Sequence, residues 1–148
     1  MAGAWAIAHE MQHAKFYENE TRPSDLISEE LACDSYAASL LFSKVESYAE
    51  TTNESLVKVR DKRAMAALVG LYFIAMLSPE AEQTETHPAI RDRIELLFDC
   101  AAEGPLENFW RFAIALLWGI NDSIATLPVE LQDPSERDLA YFALQAVF

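Results

Sequence analysis

Between its prolines the chain runs in long stretches of good helix formers, and almost nothing in it asks to be a strand. That property alone restricts it to an all-α architecture of about six helices. The first helix reads from Ala4 to about Tyr17, a run without Gly or Pro and rich in Ala, Met, Gln and Lys. After the break "ENETRPS", Ser24 can cap a long second helix reaching about Ala49, whose apolar positions Ile27, Leu31, Leu41, Val45 and Tyr48 fall near one face. A capping box from Thr51 to Glu54 is then expected to open a third helix, which passes through "KVRDKR" and stops at Ser78-Pro79. Pro88 suits the first turn of a fourth helix closed by Gly104-Pro105. A fifth carries "LENFWRFAIALLWGINDSIA", and a last one opens on Asp133 as cap, Pro134 and Glu136. No internal repeat or Gly-Ser linker divides residues 1–148, so one domain is expected.

Composition removes several functional classes. An apolar content of 51% is too high for a disordered chain. The formal charge of -13, from 11 basic and 24 acidic residues, argues against a polyanion, so nucleic acid is not an expected partner. "AMAALVGLYFIAML" is 14 residues without a charge, too short to span a bilayer and suited to a buried helix. Cys33 and Cys100 read as reduced core thiols, and no signal peptide is visible at the N-terminus, which together point to a cytoplasmic protein.

The chemistry begins at "AHEMQHAKF", Ala8 to Phe16. His9 and His13 are four residues apart, so on a helix both can direct a ring nitrogen at one metal ion about 2.0–2.1 Å away. Glu10 stands beside them, placed to take a proton from a zinc-activated water and pass it to a leaving amine. A hydrolytic zinc site needs a third protein ligand. In "EELACDSYA", Glu30 and Asp34 are again four apart on one helical face. With the second helix antiparallel to the first, Glu30 can reach the metal while Asp34 hydrogen-bonds the far nitrogen of a ligating histidine. Glu29 is the rival to Glu30, but adjacent helical residues point about 100° apart and only Glu30 is four from Asp34. Glu18 and Glu20 stand beyond the end of the histidine face, and Cys33 reads better as a buried thiol than as a ligand.

"HEMQH", "ELACDSYA" and "THPAIRDRI", in that order, resemble the gluzincin metallopeptidases, which carry HExxH, then ExxxD on a following helix, then a His-Pro element with an arginine further on. The spacing is most similar to the CAAX-prenyl-protease and HtpX type and to bacterial relatives such as the Lit phage-exclusion peptidases. The resemblance spans roughly Ala4 to Leu97. It implies His9, His13 and Glu30 as ligands of Zn2+, Glu10 as general base and Asp34 as the carboxylate behind a histidine. It also implies His87 and Arg93 as donors to the oxyanion of the tetrahedral intermediate. The implied activity is endopeptidase cleavage of a protein or peptide substrate.

Gluzincins carry a β-sheet ahead of the HExxH helix, and its edge strand holds the substrate extended. Here eight residues precede His9. The expectation is therefore a zincin-like helical core without that sheet, completed by a longer parent chain, by a segment of a partner chain, or by a groove built differently.

Other readings accompany each residue. His87-Pro88 can be a plain helix start, and Arg91 can replace Arg93. Phe109, Trp110, Phe112 and Trp118 read as core rather than as a substrate pocket. Lys58, Arg60, Lys62 and Arg63 read as a solvated face or as contact with an acidic partner. For the whole chain, the alternatives to a peptidase are a zinc-stabilised helical sensor or adaptor that cleaves nothing, and a metal-free helical interaction module.

Overall fold

The computed structural model describes residues 2–77, 83–120 and 134–148. Every regular element among them is a helix: α1 (Ala2–Asn19), α2 (Leu26–Phe42), α3 (Val45–Thr52), α4 (Leu56–Leu77), α5 (Ile90–Ala102), α6 (Phe109–Ile120) and α7 (Glu136–Val147). The all-α expectation holds, with seven helices among the described residues because the long second helix breaks in two. Ser43 turns extended and Lys44 takes a left-handed conformation, φ 55°, before α3 begins.

Several helix ends differ from the sequence reading, each for a visible reason. Helix α1 continues to Asn19 and is closed by left-handed Glu20, with Thr21 N–H donating to Phe16 O at 3.1 Å, the six-to-one bond of a Schellman stop. Asp25, rather than Ser24, caps α2 by accepting from Ser28 N–H at 2.8 Å. The box expected at Thr51–Glu54 does not form. Thr51 and Thr52 turn their hydroxyls back onto Ser47 O and Tyr48 O, which makes them the end of α3, and left-handed Asn53 closes it. Helix α7 is capped by Ser135 and Asp138 in a reciprocal box, while the expected cap Asp133 lies outside the described residues. So do Ser78-Pro79 and the far end of the expected fifth helix.

Helix α1 packs against α2 and α4; α2 and α4 both pack on α5, and α6 links α4 to α7. Alanines make the close approaches possible: Ala8 of α1, Ala37 and Ala38 of α2, and Ala64 and Ala67 of α4 are all buried. Around them the large side chains Trp5, Leu68, Leu71, Phe98 and Phe109 are fully enclosed, each worth about 1.5–3 kcal/mol of apolar burial. Phe98 meets Phe109, Trp110 and Tyr141 edge-on at 5.1–5.7 Å, so the aromatic residues at the start of α6 serve the core, as expected of them. Among the described residues no helix is long and apolar enough to cross a membrane. This packing lays α2 along the face of α1 that carries the two histidines.

Candidate metal centre

Residues four apart on a helix of 3.6 residues per turn share a face, which puts His9 and His13 one above the other on α1, and the structure brings their Nε2 atoms to 3.1 Å. Glu30 of α2 faces both. Its Oε2 lies 3.3 Å from His9 Nε2 and its Oε1 3.2 Å from His13 Nε2. Donors bound to one zinc ion at about 2.0–2.1 Å stand about 3.3–3.4 Å apart along a tetrahedral edge. The three side chains thus already span a triangle of the size that such an ion requires, and all three bear donors of the type zinc accepts.

The other nitrogen of each histidine is held by a carboxylate. Asp34, fully buried, places Oδ1 2.9 Å from His9 Nδ1. Arg93 of α5 clamps the same carboxylate, with Nε 2.6 Å from Oδ2 and Nη2 2.7 Å from Oδ1. On His13 the partner is Glu29, which is buried and places Oε1 2.8 Å from Nδ1. Arg22, in the connection between α1 and α2, clamps Glu29 Oε2 through Nε at 2.9 Å and Nη2 at 2.8 Å. The Glu29–His13 pairing is not among those expected from the sequence. The same 100° step that sets Glu29 apart from Glu30 brings it to the opposite edge of the His13 ring.

Charge follows geometry. Burial opposes protonation of His9, but the hydrogen bonds that its ring donates to Asp34 and Glu30 and the charge of Asp34 outweigh it and Arg93's opposition, raising its pKa to about 9. A proton on this ring and a metal cation would compete for the nitrogen that faces Glu30. Glu30 and Glu29 are both held below the ordinary glutamate value. In each, burial pushes the other way and is overcome, by His9, His13 and Arg93 for Glu30 and by Arg22 and His13 for Glu29.

Ligand atoms of His9, His13 and Cys33 also lie within 4.8 Å of one another, a group able to hold a metal. Burial, and then the carboxylates of Glu30, Glu29, Asp34 and Glu10, push the Cys33 thiol up to about 12. A thiolate is costly there, and Glu30, already ionised and in contact with both imidazoles, is the better third donor.

The remaining candidates are placed as follows. Glu10 is exposed on α1 and makes no hydrogen bond or ion pair among the described residues, so its carboxylate is open to solvent. Glu18 and Glu20 are exposed at the far end of the same helix. Arg93 is buried and gives two of its nitrogens to Asp34, a different partner from the oxyanion expected of it. His87 is exposed in the turn before α5, where its ring Nδ1 lies 2.8 Å from Thr86 Oγ1 and its backbone N–H donates to Thr84 Oγ1 at 3.0 Å. Among the described residues no hydrogen bond joins it to the histidine pair. Arg91 is half-exposed beside Asp92, at 3.7 Å.

Compared with known proteins, residues 1–113 match a family model, Peptidase U49, an interval that contains every residue of this site. No curated protein and no solved structure matches the chain.

Proposed function

The chain belongs to the peptidase U49 family, and from that premise we propose that it is a zinc-dependent endopeptidase of gluzincin type acting on a protein or peptide in the cytoplasm. The observation that carries the zinc reading is the triangle of His9 Nε2, His13 Nε2 and the Glu30 carboxylate, with edges of 3.1–3.3 Å. Bound there, zinc supplies Lewis acidity, acidifying a water and polarising the substrate carbonyl.

The protein's own groups do the rest. Glu10, one residue from His9 and open to solvent, takes the proton of the attacking water and hands it to the departing amide nitrogen. Asp34 holds His9 with its proton on Nδ1, and Arg93 acts through Asp34 as a positioning residue, leaving only Nη1 for any oxyanion. His87, whose ring is exposed, is the proposed donor to the oxyanion.

Glu10→Gln tests the reading against a zinc-stabilised adaptor. Cleavage of a mixed peptide library, followed by mass spectrometry, is expected to fall at least about 100-fold while zinc content and thermal midpoint stay at wild-type values. Unchanged cleavage would remove Glu10 from the mechanism. A wild-type protein that holds zinc and cleaves nothing in the library would favour the adaptor.

A further inference from the structure

His13 is flanked by two consecutive residues of one helix. Glu29 Oε1 is 2.8 Å from its Nδ1, and Glu30 Oε1 is 3.2 Å from its Nε2. An ionised carboxylate only accepts hydrogen bonds, so a ring facing Glu29 at this distance carries its proton on Nδ1. Glu29 is buried, and a buried carboxylate needs a cation and further hydrogen bonds to remain charged. Arg22 supplies both through two nitrogens, although its own side chain is 54% exposed and comes from a connection rather than a helix. The chain Arg22–Glu29–His13 repeats on the second histidine the chain Arg93–Asp34–His9 on the first, with carboxylates from the same helix α2 and only the arginine drawn from a different place.

We infer that Glu29, anchored by Arg22, is a positioning residue for His13 that holds a proton on Nδ1 and keeps Nε2, on the side of His9 and Glu30, as the nitrogen offered to a metal. The helix step explains why two neighbouring glutamates serve opposite purposes. A 100° rotation moves the carboxylate from one nitrogen of the ring to the other. Without Glu29 the ring is free to turn about its bonds and to carry its proton on Nε2, which removes that donor from the triangle. Arg22 ties this control to the α1–α2 connection, so the conformation of Glu20 to Pro23 bears on a ligand one helical turn and more away.

The inference rests on the zinc reading for its functional consequence, though the proton placement stands by itself. The test uses the full chain with Glu29→Gln and with Arg22→Met, the second changing a half-exposed side chain that the core does not need. Zinc affinity, measured against a chromophoric chelator, is expected to fall about 10–100-fold in Glu29→Gln and in the same direction, by less, in Arg22→Met. Nitrogen-15 spectra of the imidazoles are expected to show His13 protonated on Nδ1 in the wild type and a shift toward Nε2 in Glu29→Gln. Unchanged zinc affinity in both variants overturns the inference, as does a His13 already protonated on Nε2 alone in the wild type. A loss of thermal stability with no change in the imidazole spectra also overturns it, since that is what a purely structural ion pair would give. A wild type that binds no zinc sinks the peptidase reading, and the imidazole spectra then decide the Glu29 inference alone.

Discussion

Glu29, Glu30, Cys33 and Asp34 crowd one turn and a half of α2, and the position of each relative to two imidazoles decides what it can do. Glu30 alone touches both Nε2 atoms, whereas Cys33 is fully buried with its thiol pushed up to about 12. Glu30→Gln is therefore expected to lose the metal and Cys33→Ala to keep about one zinc per chain, read by elemental analysis after gel filtration. The opposite pattern would make the thiol the third ligand and Glu30 a bystander. The pairing of Glu30 with Asp34 was legible in the sequence because four residues is one turn, a local fact of helix geometry. The use of Glu29 was not, since its value depends on how far α2 is rotated about its own axis against α1, and no residue spacing within α2 encodes that.

At the scale of elements, the basic run in α4 has an unexpected task. Arg60, buried, donates to Ala101 O at the end of α5 at 3.2 Å, and Arg63 donates to Leu41 O and Ser43 O at the end of α2 at 2.6 and 3.1 Å. Asp61 between them accepts from the N–H groups of Glu107, Asn108 and Phe109 at 3.2, 3.0 and 3.2 Å and so caps α6. Three helix ends, lying in two separate connections, are thus closed by one turn of α4. Only Lys58 and Lys62 of the run match the solvated face expected of it, Lys62 pairing with Glu54 at 2.9 Å. Gly104 belongs to the same arrangement, for a Cβ there would stand 2.4 Å from Arg60 Cζ. Asp61→Ala is expected to cost about 2 kcal/mol in denaturant titration, the upper end for a helix cap, because three amides near the core lose their acceptor. A cost indistinguishable from zero would mean that water replaces the carboxylate without penalty.

In the whole molecule the donor triangle joins α1 to α2, and the Asp34–Arg93 pair joins both to α5. A metal bound across helices stabilises the folded chain by mass action, about 2.7 kcal/mol when free metal is 100 times the dissociation constant. Chelator added to zinc-loaded protein is expected to lower its thermal midpoint, and to leave that of His13→Ala where it was. Equal behaviour of the two proteins would place the metal elsewhere or nowhere. Asp34 matters to the fold in its own right. Its removal leaves Arg93 buried without its carboxylate, so a midpoint lowered in Asp34→Ala says nothing about zinc by itself.

Sequence alone determined what lies within a few residues: helices between breaks, two histidines on one face with Glu10 beside them, and a glutamate and an aspartate one turn apart. These follow from the period of the helix, which is the same in any surroundings. Tertiary structure decided which carboxylate meets which nitrogen, since those contacts join residues 16, 25 and 59 positions apart. It decided equally that Arg93 grips Asp34 and that a basic run closes other helices. Such pairings depend on helix rotation and on the depth to which alanines let helices approach, quantities set by the packed core as a whole.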